Sequence, residues 1–229
     1  MNVFEDVDFA DGDLQAELTA GRETVTLRRC VFAGADLSEL DLAGAVIDRC
    51  TFDDATLRDC RLDDTEVIGG SFLRADFTGA DLTGAVFENV DLSQAKFNDA
   101  MLAEARFSGC KMTGADLTSL RGLAVTLGFE NCNLQLANLA ETHLRGLRIT
   151  GSDLSEADLY RTDLREAVFE DCKLRQVDIS ETRLYRADLR GADLAGVVTN
   201  APHMLRGVII SPEQAAEICG ALGMTVMPG

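Results

Sequence analysis

The chain has 229 residues, 46% of them hydrophobic, with 39 acidic against 21 basic side chains and a formal net charge of −18. That much apolar material supports a packed core and excludes a disordered chain. The acidic excess argues against direct binding to nucleic acid or to an anionic membrane, and it points to basic partners.

The chain opens on "MNVFEDVDFADGDLQAEL", which is acidic and lacks the basic region and apolar run of a signal peptide. No segment approaches the roughly 18 apolar residues of a membrane span, so a cytoplasmic protein is expected. Phe4, Phe9 and Leu14 stand five apart. Leu27 breaks that count, and the intervening "QAELTAGRETVT" is read as a loop or an irregular first coil.

From Leu27 a large apolar residue recurs at every fifth position, through Phe32, Leu37, Leu42 and Ile47 to Met112 and Leu117. An α-helix would rotate successive members by roughly 140°, spiralling them around its axis. A flat strand would send them to alternate faces. Each five-residue unit must therefore contain a bend that turns its central side chain inward, so the chain coils. Phe32, Phe52 and Phe72 are spaced by 20 residues, as are Phe77 and Phe97, and Phe87 and Phe107. Four units per coil would stack ring on ring, with coils about 4.8 Å apart.

The position two before each large residue is the second inward site, and it is small: Ala35, Ala45, Ala75 and Ala95 are examples. Six of the seven cysteines (Cys30, Cys50, Cys60, Cys110, Cys132 and Cys172) occupy it. They read as structural fillers, because no Cys-x-x-Cys or Cys/His cluster suggests a metal and the chain has core enough to need no disulfide framework.

From Leu117 to Phe129 the spacing is two more than a multiple of five. The segment "TSLRGLAVTLG" (118–128) is expected either to bulge by two residues or to project as a short loop. Interruptions of a solenoid commonly carry partner contacts, which makes Ser119, Leu120, Arg121, Gly122 and Leu123 candidates. A second register then runs from Phe129 through Leu144, Leu159 and Leu174 to Leu194. The expected divisions are an irregular N-terminal cap (1–26), the repeat rod (27–198, interrupted at 118–128) and a C-terminal cap and tail (199–229).

In "SPEQAAEICGALG" Ser211 reads as an N-cap, Pro212 as the first helical residue, Gln214 as the capping-box partner and Gly223 as the stop. Ala215, Ile218, Cys219 and Leu222 share one face of this short helix, which is expected to cover the last coil's open edge. The surrounding apolar residues exceed what a cap needs. Val208, Ile209, Ile210, Ile218, Leu222, Met224, Val226 and Met227 are therefore read as a two-fold homodimer interface.

The units "GADLS", "GADLT", "LANLA", "EADLY" and "RADLRGADLAG" resemble the A(D/N)Lxx signature of the pentapeptide-repeat proteins over roughly residues 27 to 198. The resemblance implies an all-β fold, a right-handed quadrilateral β-helix, here with a short C-terminal capping α-helix. The tail "ISPEQAAEICGALGMTVMPG" is similar to those of the Qnr quinolone-resistance proteins, MfpA and AlbG. That similarity implies a dimeric rod imitating duplex DNA and occupying the DNA-binding saddle of DNA gyrase, to inhibit the enzyme or to protect it from quinolones and other poisons. The Qnr proteins of Gram-negative bacteria carry two loops longer than the interruptions in this chain.

If the break at 117–129 spans two units, one face collects Asp36, Glu39, Asp59, Asp76, Asp99, Asp116, Glu141, Asp158, Asp178 and Glu181. Carboxylates on successive coils about 4.8 Å apart are a crude copy of phosphates about 3.4 Å apart. The competing explanation is that an Asp before the central residue bonds nearby backbone in any such repeat. Catalysis has no support, since His143 and His203 lack a nucleophile or paired carboxylate at a catalytic spacing, and the pair in "IGGSF" is no phosphate loop. No cofactor is expected. The alternative to a gyrase-binding mimic is a non-catalytic scaffold or adaptor rod for another protein.

Overall fold

The structure, a computed structural model, describes residues 2–9, 24–122, 127–197 and 202–227. Among the described residues nine short strands run in chain order: β1 (Asn2–Glu5), β2 (Val25–Arg28), β3 (Val46–Asp48), β4 (Glu66–Ile68), β5 (Val86–Glu88), β6 (Arg106–Ser108), β7 (Gly128–Glu130), β8 (Arg148–Thr150) and β9 (Val168–Glu170). They form one parallel sheet in sequence order. Each strand is one wall of one coil, and the other three walls are columns of single parallel bridges, such as Val31 to Thr51 to Ser71. The result is a right-handed quadrilateral β-helix. Face 1 carries the strands and is centred on Leu27, face 2 on Phe32, face 3 on Leu37 and face 4 on Leu42.

The bend that period five requires is a turn at each corner. After Phe32, Leu37 and Leu42 the backbone amides of Ala35, Leu40 and Ala45 donate to the carbonyls of those central residues at 3.0, 3.2 and 3.0 Å. The residue before each donor is left-handed, with φ of 69° at Gly34, 62° at Glu39 and 64° at Gly44. This is the geometry of a type II turn, and it explains the Gly and Asp that recur at this position, while Glu, Gln and Arg there bear the left-handed cost.

The corner after face 1 is built differently, and here the cysteines matter. Its inward column reads Cys30, Cys50, Gly70, Val90, Cys110, Cys132, Ser152 and Cys172, and these residues donate no such turn bond. Instead the amide of Cys30 donates to Cys50 Sγ at 3.3 Å, and that of Cys132 to Ser152 Oγ at 3.0 Å. The thiols of Cys110, Cys132 and Cys172 donate to the carbonyls of Phe87, Phe107 and Ile149 one coil back, at 3.4, 3.3 and 3.4 Å. Where the column returns to alanine, the turn bond returns, from the Ala192 amide to the Leu189 carbonyl at 3.0 Å. These cysteines are thus small apolar fillers that also satisfy corner backbone, a second role that spacing alone did not reveal.

Inside, the rings stack as expected. Phe9, Phe32, Phe52 and Phe72 form one column at 4.8, 4.5 and 4.4 Å, and Phe87, Phe107 and Phe129 another at 5.0 and 5.3 Å. The ladder carries straight across the irregular spacing. Phe107 pairs with Phe129, and Asp116 with Asn138, so the segment between Leu117 and Phe129 spans two units plus two residues.

The C-terminal end is closed by Gly207–Ile209 and a helix. The amide of Arg186 donates to the Gly207 carbonyl and that of Leu189 to the Ile209 carbonyl, both at 2.9 Å, which adds a last rung to face 1. Helix α1 (Pro212–Ala221) begins in the expected capping box of Ser211 and Gln214. Its buried residue is Gln214, whose Nε2 donates to the carbonyls of Leu189 and Ala192 at 2.7 Å each. Of the apolar face expected to cover the coil, Ile218 packs against the core while Leu222, at the C-cap, is exposed. The reason is that a coil's end presents backbone carbonyls as well as side chains, so its cover needs a donor.

Gly34 and Gly70 separate the two demands placed on glycine. A Cβ at Gly34 would meet nothing within 4 Å, whereas one at Gly70 would lie 2.2 Å from the Cys50 carbonyl oxygen. Gly34→Ala should therefore lose about 1–2 kcal/mol, the intrinsic left-handed cost. Gly70→Ala should lose at least ~3 kcal/mol, because backbone must move. Chemical denaturation of the two variants, compared with the parent, checks the difference.

Candidate functional site

The ten carboxylates singled out from the sequence share one wall. Asp36, Thr56, Asp76, Lys96, Asp116, Asn138, Asp158 and Asp178 form one unbroken column of bridges on face 3. Glu39, Asp59, Asp99, Glu141 and Glu181 stand at the corner that follows, each left-handed, with φ between 53° and 62°. Against these ten stand Arg58, Lys96 and Arg161. Other walls are closer to balance. On face 1, Arg28, Arg29, Arg49, Arg106, Arg148 and Arg190 stand among seven carboxylates between Val25 and Val197.

The acids of face 3 divide by what holds them. Those before the central residue are built into turns. Asp36 Oδ1 accepts from the amide and hydroxyl of Ser38 at 3.0 and 2.6 Å, and Asp116 accepts from the amide and hydroxyl of Thr118 at 3.0 and 2.8 Å. Asp158 and Asp178 accept the amides of Tyr160 and Ser180 at 2.8 Å each. Asp76 does the same with Thr78 and also pairs with Arg58 at 2.7 Å. The same bond recurs on face 2, at Asp91 and Asp153, so it belongs to the repeat rather than to one wall.

The left-handed corner acids carry the freely presented charge. The carboxylates of Glu39, Asp59 and Asp99 are exposed and make no hydrogen bond or ion pair. Glu141 and Glu181 hold Arg161 between them at 3.6 and 2.8 Å, with its guanidinium 4.8 Å over the ring of Tyr160. The corner acids without a partner therefore lie in the N-terminal half of face 3. Counting Arg58 and Arg161 in the same register would have revealed this from the sequence.

The segment read as a contact loop continues the rod as far as it is described. Ser119 is a left-handed corner residue, Leu120 packs partly against the core, and Gly122 has φ of 77°. Arg121 bridges Met101 and lays its guanidinium along the wall, donating to the carbonyls of Asp99 and Gly79. Leu123 lies outside the described residues, as does Leu14 at the other interruption. At the tail, Val208, Ile210 and Ile218 pack partly against the core, while Ile209, Leu222, Met224, Val226 and Met227 are exposed, Met227 at 77%.

Burial also sets the state of three interior thiols. Burial pushes the thiols of Cys50 and Cys60 up to about 12 and that of Cys172 to about 11, so none is a thiolate at neutral pH. Among the described residues no group of His, Cys, Asp and Glu is arranged to hold a metal ion, and no helix is long and apolar enough to cross a membrane.

The model of pentapeptide repeats matches residues 27–64, 60–99 and 80–118, and that of the pentapeptide repeat region matches 125–198. The chain belongs to the pentapeptide-repeat family. No curated protein matches it by sequence. Among solved structures it is similar to full-length QnrB1, a plasmid-mediated fluoroquinolone resistance protein, at 22% identity over 83% of this chain and 100% of that one, with a TM-score of 0.55. A trypsin-treated form of QnrB1 matches at 20% identity over 99% and 98% of the two chains, TM-score 0.53. HetL, a family member involved in heterocyst differentiation regulation in the cyanobacterium Nostoc, matches at 20% identity over 86% and 90%, TM-score 0.31. The QnrB1 likenesses establish the shared fold.

The Asx turns make stability acid-sensitive. Burial opposes ionisation of Asp76, Asp91 and Asp153, but hydroxyl, amide and cationic partners hold all three below the usual carboxylate range. The Arg165 guanidinium, aided by Arg183, does the same for the buried Asp163. A depressed folded pKa contributes stability that is complete above the unfolded value of about 3.9 and is lost as pH falls through the folded values. The denaturation midpoint should hold from pH 7 to 5 and drop steeply below pH 4. Asp163→Asn should lower the neutral-pH plateau by about 1–3 kcal/mol and soften the acid limb.

Proposed function

We propose that the protein binds a type II topoisomerase, DNA gyrase, by presenting face 3 to the basic surface that normally holds DNA. On this reading it inhibits the enzyme, shields it from quinolones or other poisons, or does both. The observation that carries the reading is the concentration of ten carboxylates against three bases on one flat wall. Negative charges repeating at about 4.8 Å along a rigid rod offer a DNA-binding cleft a ready-made polyanion, with no ordering cost on the protein's side. The fold shared with QnrB1 supports the reading.

The rod would act as a homodimer joined at the C-terminal end. The exposed patch of Ile209, Leu222, Met224, Val226 and Met227 is what such a contact would bury.

The Asx turns favour a second reading, a non-catalytic scaffold or adaptor for another protein. Half of the acids on face 3 are explained by the turn each one closes. The experiment must therefore spare those and remove the open corner charges. In a gyrase supercoiling assay, run with and without a fluoroquinolone and with topoisomerase IV as second target, the parent should inhibit the enzyme or relieve drug-stabilised cleavage. The triple variant Glu39→Gln/Asp59→Asn/Asp99→Asn should weaken that effect at least ~10-fold, losing about 0.5 kcal/mol per charge, while Asp53→Asn/Asp54→Asn on face 2 should not. A parent without effect on either enzyme would favour the adaptor reading, and a fully active triple variant would remove face 3 from the contact.

A further inference from the structure

Face 1 departs from its own pattern at β7. Its outward column before the central residues runs Val86, Arg106, Gly128, Arg148 and Val168, so one rung in the middle of the sheet carries no side chain. The backbone does not call for that glycine. Its φ lies outside the left-handed region, the register continues unbroken through it, and a Cβ there would meet nothing nearer than the Arg148 carbonyl oxygen at 3.9 Å. Where no bulge or bend needs it, a glycine inside a strand marks close approach by another molecule.

Over this rung lies an open groove of about 820 Å³, a size common among small-molecule sites, and every residue lining it is among those described. Arg106 and Arg148 stand one rung to either side of Gly128, while Glu88 and Glu130 line the groove two positions after Val86 and Gly128. Among the described residues none of these four charged side chains makes a hydrogen bond or an ion pair. Other arginines of the same wall are engaged, Arg29 with Glu5 and Asp6 and Arg190 with Asp188.

We propose that this groove binds a zwitterionic small molecule, its carboxylate seated over Gly128 between Arg106 and Arg148 and its amine directed to Glu130 and Glu88. Two guanidiniums whose backbones are about 10 Å apart, two rungs of the ladder, can grip one carboxylate from opposite sides. The two glutamates decide the rest of the ligand. They bring the four charges to zero, so a simple anion gains little, whereas a ligand of both signs meets an opposite charge at each end. Two residues of strand separate the cationic column from the acidic one by roughly 7 Å, the span of an amino acid whose amine is at the far end of its chain. Face 1 is the wall opposite face 3, so an occupied groove leaves the gyrase contact and the C-terminal end free and does not rest on that reading.

The probe is 6-aminohexanoate, titrated into the full isotope-labelled chain and followed through the backbone amide signals of Arg106, Gly128 and Arg148. Those signals should shift and saturate. Hexanoate and hexylamine should each bind about threefold or more weakly, because each forfeits one set of charge contacts. Gly128→Val fills the seat and Arg148→Gln removes one of its walls, so both should weaken binding at least ~10-fold, while Arg28→Gln on the same wall should bind as the parent does. Valine occupies the position of Gly128 at Val46, Val86 and Val168, and Arg148 is an exposed side chain, so the variants should fold; unchanged thermal unfolding confirms it. The absence of a saturable shift at Gly128, hexanoate that binds as tightly as the zwitterion, or unchanged affinity in Gly128→Val or Arg148→Gln would each overturn the proposal.

Discussion

The left-handed residue at each corner is the constraint on which the rest of the rod depends. Without it the chain could not turn through a wall every five residues, and neither the interior ring columns nor the bridged outer columns would come into register. The cost is of order 1–2 kcal/mol for each residue that is not glycine. After faces 2, 3 and 4 it is offset by a turn bond within the coil and by a ladder bond to the next, whereas the corner after face 1 relies on the ladder and on its cysteine and serine side chains. The same corner projects its side chain straight into solvent, which is why folding and surface charge are settled at one and the same position. Glu39, Asp59 and Asp99 are at once corner residues and the freely presented acids of face 3.

The fold was almost fully legible in the sequence, because a period of five is compatible with neither a helix nor a strand and the phenylalanine spacing counts the walls. The register across the second interruption stayed conditional in the sequence, and the bridges from Asp116 to Asn138 to Asp158 fix it at two units. What could not be read was the corner after the strands. Its cysteines look like alanine substitutes in a spacing argument, and only the folded corner shows that no turn bond forms there and that the amides of Cys30 and Cys132 use the Cys50 sulfur and the Ser152 hydroxyl instead. Gln214 was legible as a capping-box residue, but its second role, donating to two carbonyls of the last coil, depends on where the helix lands.

The candidate face was legible in membership on the condition that the second interruption spans two units, and its two kinds of acid follow from position in the repeat. Asp76 precedes its central Phe77 and closes a turn with Thr78, whereas Asp99 follows Phe97 by two and is open. What spacing left unread was which long side chains meet: Arg58 reaches across to Asp76 and leaves its neighbour Asp59 open. A partner that reads this wall meets a line of open corner charges set off from a line of carboxylates whose oxygens are partly taken up by the turns they close, so the geometry of recognition is narrower than net charge suggests. Arg161, held between Glu141 and Glu181, marks where that open line stops.

The cysteine column has a consequence for how the rod comes apart. A solenoid is held chiefly by contacts between adjacent coils, so it can open from an end without losing the remainder. Cys30, Cys50, Cys110, Cys132 and Cys172 lie along a single corner, buried and spread over most of the length. Each is shielded only while its own coil and the next are in place. The rod thus carries a native series of reporters, in which the order of thiol exposure records whether melting starts at the phenylalanine-rich end, at the helix-capped end or from both together.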